Sequence, residues 1–90
     1  MIRLHIIVSG DVQGVGFRYF TQMKAIQYQI TGWVKNSSNG NVEMIACGKE
    51  KDIKAFLNEI RHGHPFSKIK DLSYREIENI KPLHSFIIKY

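Results

Sequence analysis

The stretch "GDVQGVGFR", Gly10 to Arg18, decides how the chain is read. Before it, residues 3–9 ("RLHIIVS") set Leu4, Ile6 and Val8 against Arg3, His5 and Ser9, the period of a strand with one buried face. After it, Phe20, Met23, Ile26 and Ile30 recur at helical spacing, with Gln22, Lys24 and Gln27 between them. That spacing predicts a helix from Phe17 to about Ile30. A glycine-rich loop therefore joins a strand to a helix. Glycine lets such a loop turn its N–H groups inward, and the resulting concavity holds anions. The loop also feeds a helix N-terminus, whose unpaired N–H groups and dipole favour negative charge. Arg18 closes the stretch with the side chain best suited to fork two bonds onto a phosphate. A cation there opposes the dipole unless an anion lies between. The plainer alternative is a tight turn followed by a surface arginine.

The familiar phosphate-loop signatures do not fit. A G-x-x-x-x-G-K-[ST] loop needs a second glycine and a Lys-Ser/Thr pair that are missing here. Gly14-Val15-Gly16 begins a G-x-G-x-x-G, but Tyr19 stands where its third glycine belongs.

Working outward, "TGWVKNSS" from Thr31 reads as a second strand. Asn39-Gly40 predicts a type I′ hairpin turn, and "NVEMIACG" predicts an antiparallel third strand. Ile53, Phe56, Leu57 and Ile60 define a second amphipathic helix that stops at Gly63, ahead of Pro65. "KIKDLSYREIE" and "SFIIKY" read as the last two strands. The order is β-α-β-β-α-β plus a short C-terminal strand. It predicts an α+β, ferredoxin-like split βαβ sandwich, with two helices on one face of a mostly antiparallel sheet.

The chain has 90 residues, so a single domain over 1–90 is expected, without linkers or repeats. A net charge of +5 suits an anionic partner. The single cysteine, Cys47, excludes an internal disulfide and fits a reducing compartment. No apolar run approaches the ~18 residues of a membrane span, and the N-terminus has no signal-peptide core. The expectation is a cytoplasmic monomer.

"GDVQGVGFR" also resembles the first signature of the acylphosphatase family, G-x-V-Q-G-V-x-[FY]-R, at Gly10, Val12, Gln13, Gly14, Val15, Phe17 and Arg18. The family's second signature has its counterpart in "GWVKNSSNGNV", Gly32 to Val42. The resemblance runs through the whole chain. It implies hydrolysis of acyl phosphates to a carboxylate and inorganic phosphate. By position, Arg18 is similar to the family's phosphate-binding arginine and Asn36 to its water-orienting asparagine. The backbone amides of Gln13, Gly14, Val15, Gly16, Phe17 and Arg18 are the implied phosphate cradle. No metal and no cofactor are implied. The expected partners are a small acyl phosphate and inorganic phosphate, as product and inhibitor, with no nucleic acid and no membrane.

The chemistry is consistent with that resemblance. Neutral asparagine takes no proton; it orients water by donating and accepting hydrogen bonds. Phosphoryl transfer runs on positioning and electrostatics. A carboxylate leaving group, with a pKa of about 4, needs no general acid. The absence of a catalytic acid near the motifs thus favours mixed anhydrides over monoesters. A grip on the phosphate alone predicts broad acyl specificity.

Other residues carry weaker signals. Cys47 has no C-x₅-R behind it and reads as a packed apolar residue. His62 and His64 read as a solvated helix end, and His5 and His84 as isolated. An RNA-recognition motif shares the element order, but its base-stacking aromatics are missing from the first and third strands. A third reading is a domain that binds an acyl phosphate without turnover. Retention of Arg18 and Asn36 speaks against it.

Overall fold

A computed structural model of the chain describes residues 1–65, 67–78, 81 and 83–90. The first strand, β1 (Ile2–Asp11), is followed by α1 (Phe17–Gln27), β2 (Thr31–Asn36) and β3 (Val42–Gly48). Then come α2 (Glu50–His62), β4 (Lys68–Glu76) and β5 (Phe86–Lys89). The sheet order is β4-β1-β3-β2-β5. β3 runs antiparallel to both β1 and β2, so each βαβ crossover skips one strand, the split βαβ arrangement. β5 adds to β2 in parallel, making the open sheet mixed.

The core lies between the sheet and the helices. Leu4, Ile6 and Val8 of β1 and Val42, Met44 and Ala46 of β3 face it at alternate positions, as a period of two requires. Against them α2 buries Ile53, Phe56, Leu57 and Ile60, the face its sequence marked. Cys47 is also buried, and that burial raises its thiol pKa.

α1 departs from its sequence reading in length and in part of its face, although Phe20 packs against the core as expected. It ends at Gln27, and its buried residues are Phe17, Thr21 and Ala25, while Met23 and Ile26 are exposed. The small side chains at Thr21 and Ala25 let the helix lie close to the sheet, so the bulkier pair points outward. The end is a Schellman motif: Ile30 N–H bonds to the Ala25 carbonyl and Gln29 N–H to that of Ile26. Gln29 takes the left-handed conformation (φ 57°) usually given to glycine, so the sequence carried no stop signal. Ile30 reaches the core from beyond the helix.

The hairpin also differs. Gly40 has φ 90°, but Asn39 is not left-handed, so the turn is not type I′. Gly40 N–H bonds to the Ser37 carbonyl and Ser37 N–H to that of Asn41, the pattern of a longer loop that ends in a left-handed glycine. His5 is not isolated: its Nε2 lies 2.6 Å from Glu43 Oε2 on the sheet face away from the helices. No helix among the described residues is long and apolar enough to cross a membrane.

Candidate active site

The loop between β1 and α1 is built in two parts. Gly10 belongs to β1, at a bulge against β4 where the register shifts between Ser9 and Gly10. The turn itself belongs to Gly14 (φ 77°) and Gly16 (φ 81°), both left-handed, with Gly16 as the N-cap of α1. Val12, 1% exposed, anchors the loop's start in the core, and Phe17, 1% exposed, anchors its end. The segment between these anchors stays at the surface.

The first backbone bond made inside α1 runs from Phe20 N–H to the Gly16 carbonyl. Among the described residues, no turn, loop or cap bond uses the N–H groups of Gln13 to Arg18. Gly16 has no side chain to cap the helix, and the first turn holds no acidic residue. α2 does the opposite, with Glu50 and Asp52 in its first turn and Arg61 and His62 in its last. Both ends of α2 thus follow the dipole rule, and in α1 the last turn follows it through Lys24 while the first turn, where Arg18 sits, reverses it.

Arg18 is held in place by the far end of the chain. Its guanidinium donates to the Lys89 carbonyl at 3.1 Å and lies 4.7 Å from the centre of the Tyr90 ring. Asn36 arrives from the end of β2, opposite Val42. Its Oδ1 is buried and has no hydrogen-bond partner among the described residues.

Arg18 and Asn36 line one cavity of about 100 Å³, together with Val12, Gly14, Gly16 and Phe17. Tyr19, Ile88 and Tyr90 complete its wall. Pockets for whole small-molecule ligands run to roughly 300–1,000 Å³, so this one suits a single compact group. Its lining brings the glycine loop together with one guanidinium-bearing and one amide-bearing residue, Arg18 and Asn36. Such a set can hold a tetrahedral anion and orient a water beside it. Among the described residues, no three His, Cys, Asp or Glu gather as metal ligands would.

Gln13 and Val15 are not among the cavity's lining residues. Val15 packs against the core. The Gln13 side chain turns to the β2–β3 loop, where Nε2 donates to the Ser37 carbonyl at 2.8 Å and the Asn41 carbonyl at 2.7 Å. It therefore ties the loop that leads to Arg18 to the loop that follows Asn36. Sequence reasoning placed only Gln13's backbone in the site. Its visible signals were its place in the first signature and a long amide side chain between Val12 and Gly14.

The family model described as Acylphosphatase matches residues 4–88. An acylphosphatase from Bacillus subtilis (strain 168) is 46% identical over 90 residues, covering 100% of this chain and 99% of that protein. One from Bacillus licheniformis is 47% identical over the full length of both chains. The crystal structure of acylphosphatase from Bacillus subtilis superposes with a TM-score of 0.96 at 46% identity, covering 100% of each chain.

Proposed function

Because this chain belongs to the acylphosphatase family, we propose that it hydrolyses the carboxyl–phosphate bond of small acyl phosphates at the cavity shared by Arg18 and Asn36. One observation carries the assignment of residues: Arg18 from a helix and Asn36 from a strand line one cavity with a glycine loop whose N–H groups, from Gln13 to Arg18, make no turn, loop or cap bond among the described residues. Arg18 and the loop amides bind the phosphoryl oxygens and stabilise the charge they carry in the transition state. Asn36 orients the water by donating and accepting hydrogen bonds with its side-chain amide and aims the water oxygen at phosphorus.

The new bond is water oxygen to phosphorus, and the bond that breaks joins phosphorus to the acyl oxygen. The electron pair leaves with the carboxylate, which needs no proton. The water's proton passes to a phosphoryl oxygen, so inorganic phosphate is released and no side chain changes its protonation. Inorganic phosphate fits the same cradle and inhibits competitively. Positioning and fixed charge supply the catalysis, as a loose phosphoryl-transfer transition state allows. The protein acts as a monomer in a reducing, cytoplasmic setting.

Asn36 is the test. Steady-state hydrolysis of an acyl phosphate, in chelator and beside a phosphate monoester control, is compared for Asn36→Ala and Asn36→Asp. Asn36→Ala lowers kcat strongly and moves KM little. Asn36→Asp offers a general base but places a negative charge against the phosphate, so it does no better than Asn36→Ala near neutral pH. Recovery of much of the wild-type kcat by Asn36→Asp would show that a protein base was the missing element and would end the substrate-assisted account.

A further inference from the structure

The cavity is too small to enclose an acyl phosphate. With the phosphoryl group on the loop, the acyl group must leave through the mouth, and the mouth is apolar and aromatic. Tyr19 and Tyr90 both line the cavity, yet they are 69% and 98% exposed. Ile88 lies in the wall with them. Met23 and Ile26, four and seven residues after Tyr19, continue the strip along the exposed side of α1.

Large apolar groups gathered in the open at a cavity mouth are the informative exception on a small soluble protein. No structural duty accounts for Tyr19. Among the described residues it makes no hydrogen bond, ion pair or ring contact, and it is not part of the core. Among the described residues Tyr90 has one such contact, the stack on Arg18, and it stays largely exposed.

We propose that Tyr19 and Tyr90 form a ledge that reads the acyl group, making the enzyme selective for acyl phosphates with extended apolar acyl chains over acetyl phosphate. The proposal rests on the hydrolase reading above and replaces the expectation of broad specificity. Tyr19 is the specificity-determining residue; Tyr90 has a second role in steadying Arg18. A methyl group is too short to reach past the phosphate cradle. A five-carbon tail lies along the ring of Tyr19 and shields apolar surface equal to one or two methylenes. That difference corresponds to roughly a tenfold preference in kcat/KM.

Hexanoyl phosphate and acetyl phosphate make the sharpest pair, because their leaving carboxylates are of closely similar basicity and differ only in apolar length. The wild type prefers hexanoyl phosphate by about tenfold, mainly through KM. Tyr19→Ser brings the ratio of the two kcat/KM values close to one, and Tyr19→Phe, which keeps the ring, retains it. Tyr19 is outside the core, and circular dichroism of each variant verifies the fold. Turnover of both substrates with no preference, or a preference untouched in Tyr19→Ser, overturns the ledge and leaves the hydrolase standing. Turnover of neither substrate overturns the hydrolase reading and the ledge with it.

Discussion

Gln13→Ala removes the two hydrogen bonds that join the loops on either side of the cavity, at 2.8 and 2.7 Å. A hydrogen bond contributes about 1 kcal/mol net, so the pair is worth about 2 kcal/mol. In a domain of this size each kcal/mol moves Tm by about 4–8 °C, which places the loss near 10 °C. The kinetic effect follows from position. Asn36 directly precedes Ser37, whose carbonyl Gln13 holds, so under the proposed mechanism freeing the loop lets the asparagine wander from its line to phosphorus. A kcat about tenfold lower is expected, since small misplacements of an orienting group are expensive in rate. Gln13→Glu sharpens the case. Its carboxylate has nearly the same shape but donates nothing when ionised, and it would face two carbonyl oxygens. It is expected to be less stable than Gln13→Ala. Thermal denaturation followed by circular dichroism, with kcat measured well below the transition, reads both effects. A Tm within 2 °C of wild type in both variants would refute the energetic reasoning. A large fall in Tm with kcat unchanged would show that the tie steadies the fold without positioning Asn36.

Arg18→Lys keeps the charge and loses the planar fork, so activity drops by roughly 10²-fold and inhibition by inorganic phosphate weakens in parallel; near-normal kinetics would remove Arg18 from the site. Glu43 carries a pH prediction. The hydrogen bond to His5, with the positive charges of His5 and Lys35, outweighs burial and holds its carboxyl below the ordinary value. A depressed carboxylate stabilises the fold above its unfolded pKa, about 4.3, and that contribution is lost as the pH falls through the folded value. Urea denaturation should therefore find wild type more stable than Glu43→Gln by about 1 kcal/mol at pH 6, with the gap closing toward pH 3; a gap that widens on acidification would reverse the sign of the interaction.

The order of elements was legible because the strongest signals were periodic. Leu4, Ile6 and Val8 alternate, and Ile53, Phe56, Leu57 and Ile60 repeat as a helix does, and both sets are buried. α1 was legible as a helix but only in part of its face: Phe20 packs against the core, whereas Met23 and Ile26 are exposed and the buried positions include Thr21 and Ala25, which hydrophobic spacing did not single out. Its end was hidden because Gln29 does the work of a glycine. The Asn39-Gly40 turn was placed correctly and given the wrong geometry, since one left-handed residue sufficed. In the site, Arg18 and Asn36 stood in motifs and share a cavity. The stack of Tyr90 on Arg18, the grip of Gln13 on the hairpin loop and the pairing of His5 with Glu43 could not be read locally. Each joins strands or loops that only the sheet order brings together.

The ties that set the site in place span most of the chain. Gln13 reaches 28 residues ahead to Asn41, and Arg18 reaches 71 residues ahead to Lys89. Closing such long loops costs chain entropy that only a nearly complete sheet can offset. α1 and α2 can form early from local contacts, but Arg18 has no carbonyl to lean on until β5 has docked beside β2. With Arg18 in its proposed role, recovery of turnover during refolding is a clock for the last strand, and a chain with both helices in place and β5 undocked would be inactive.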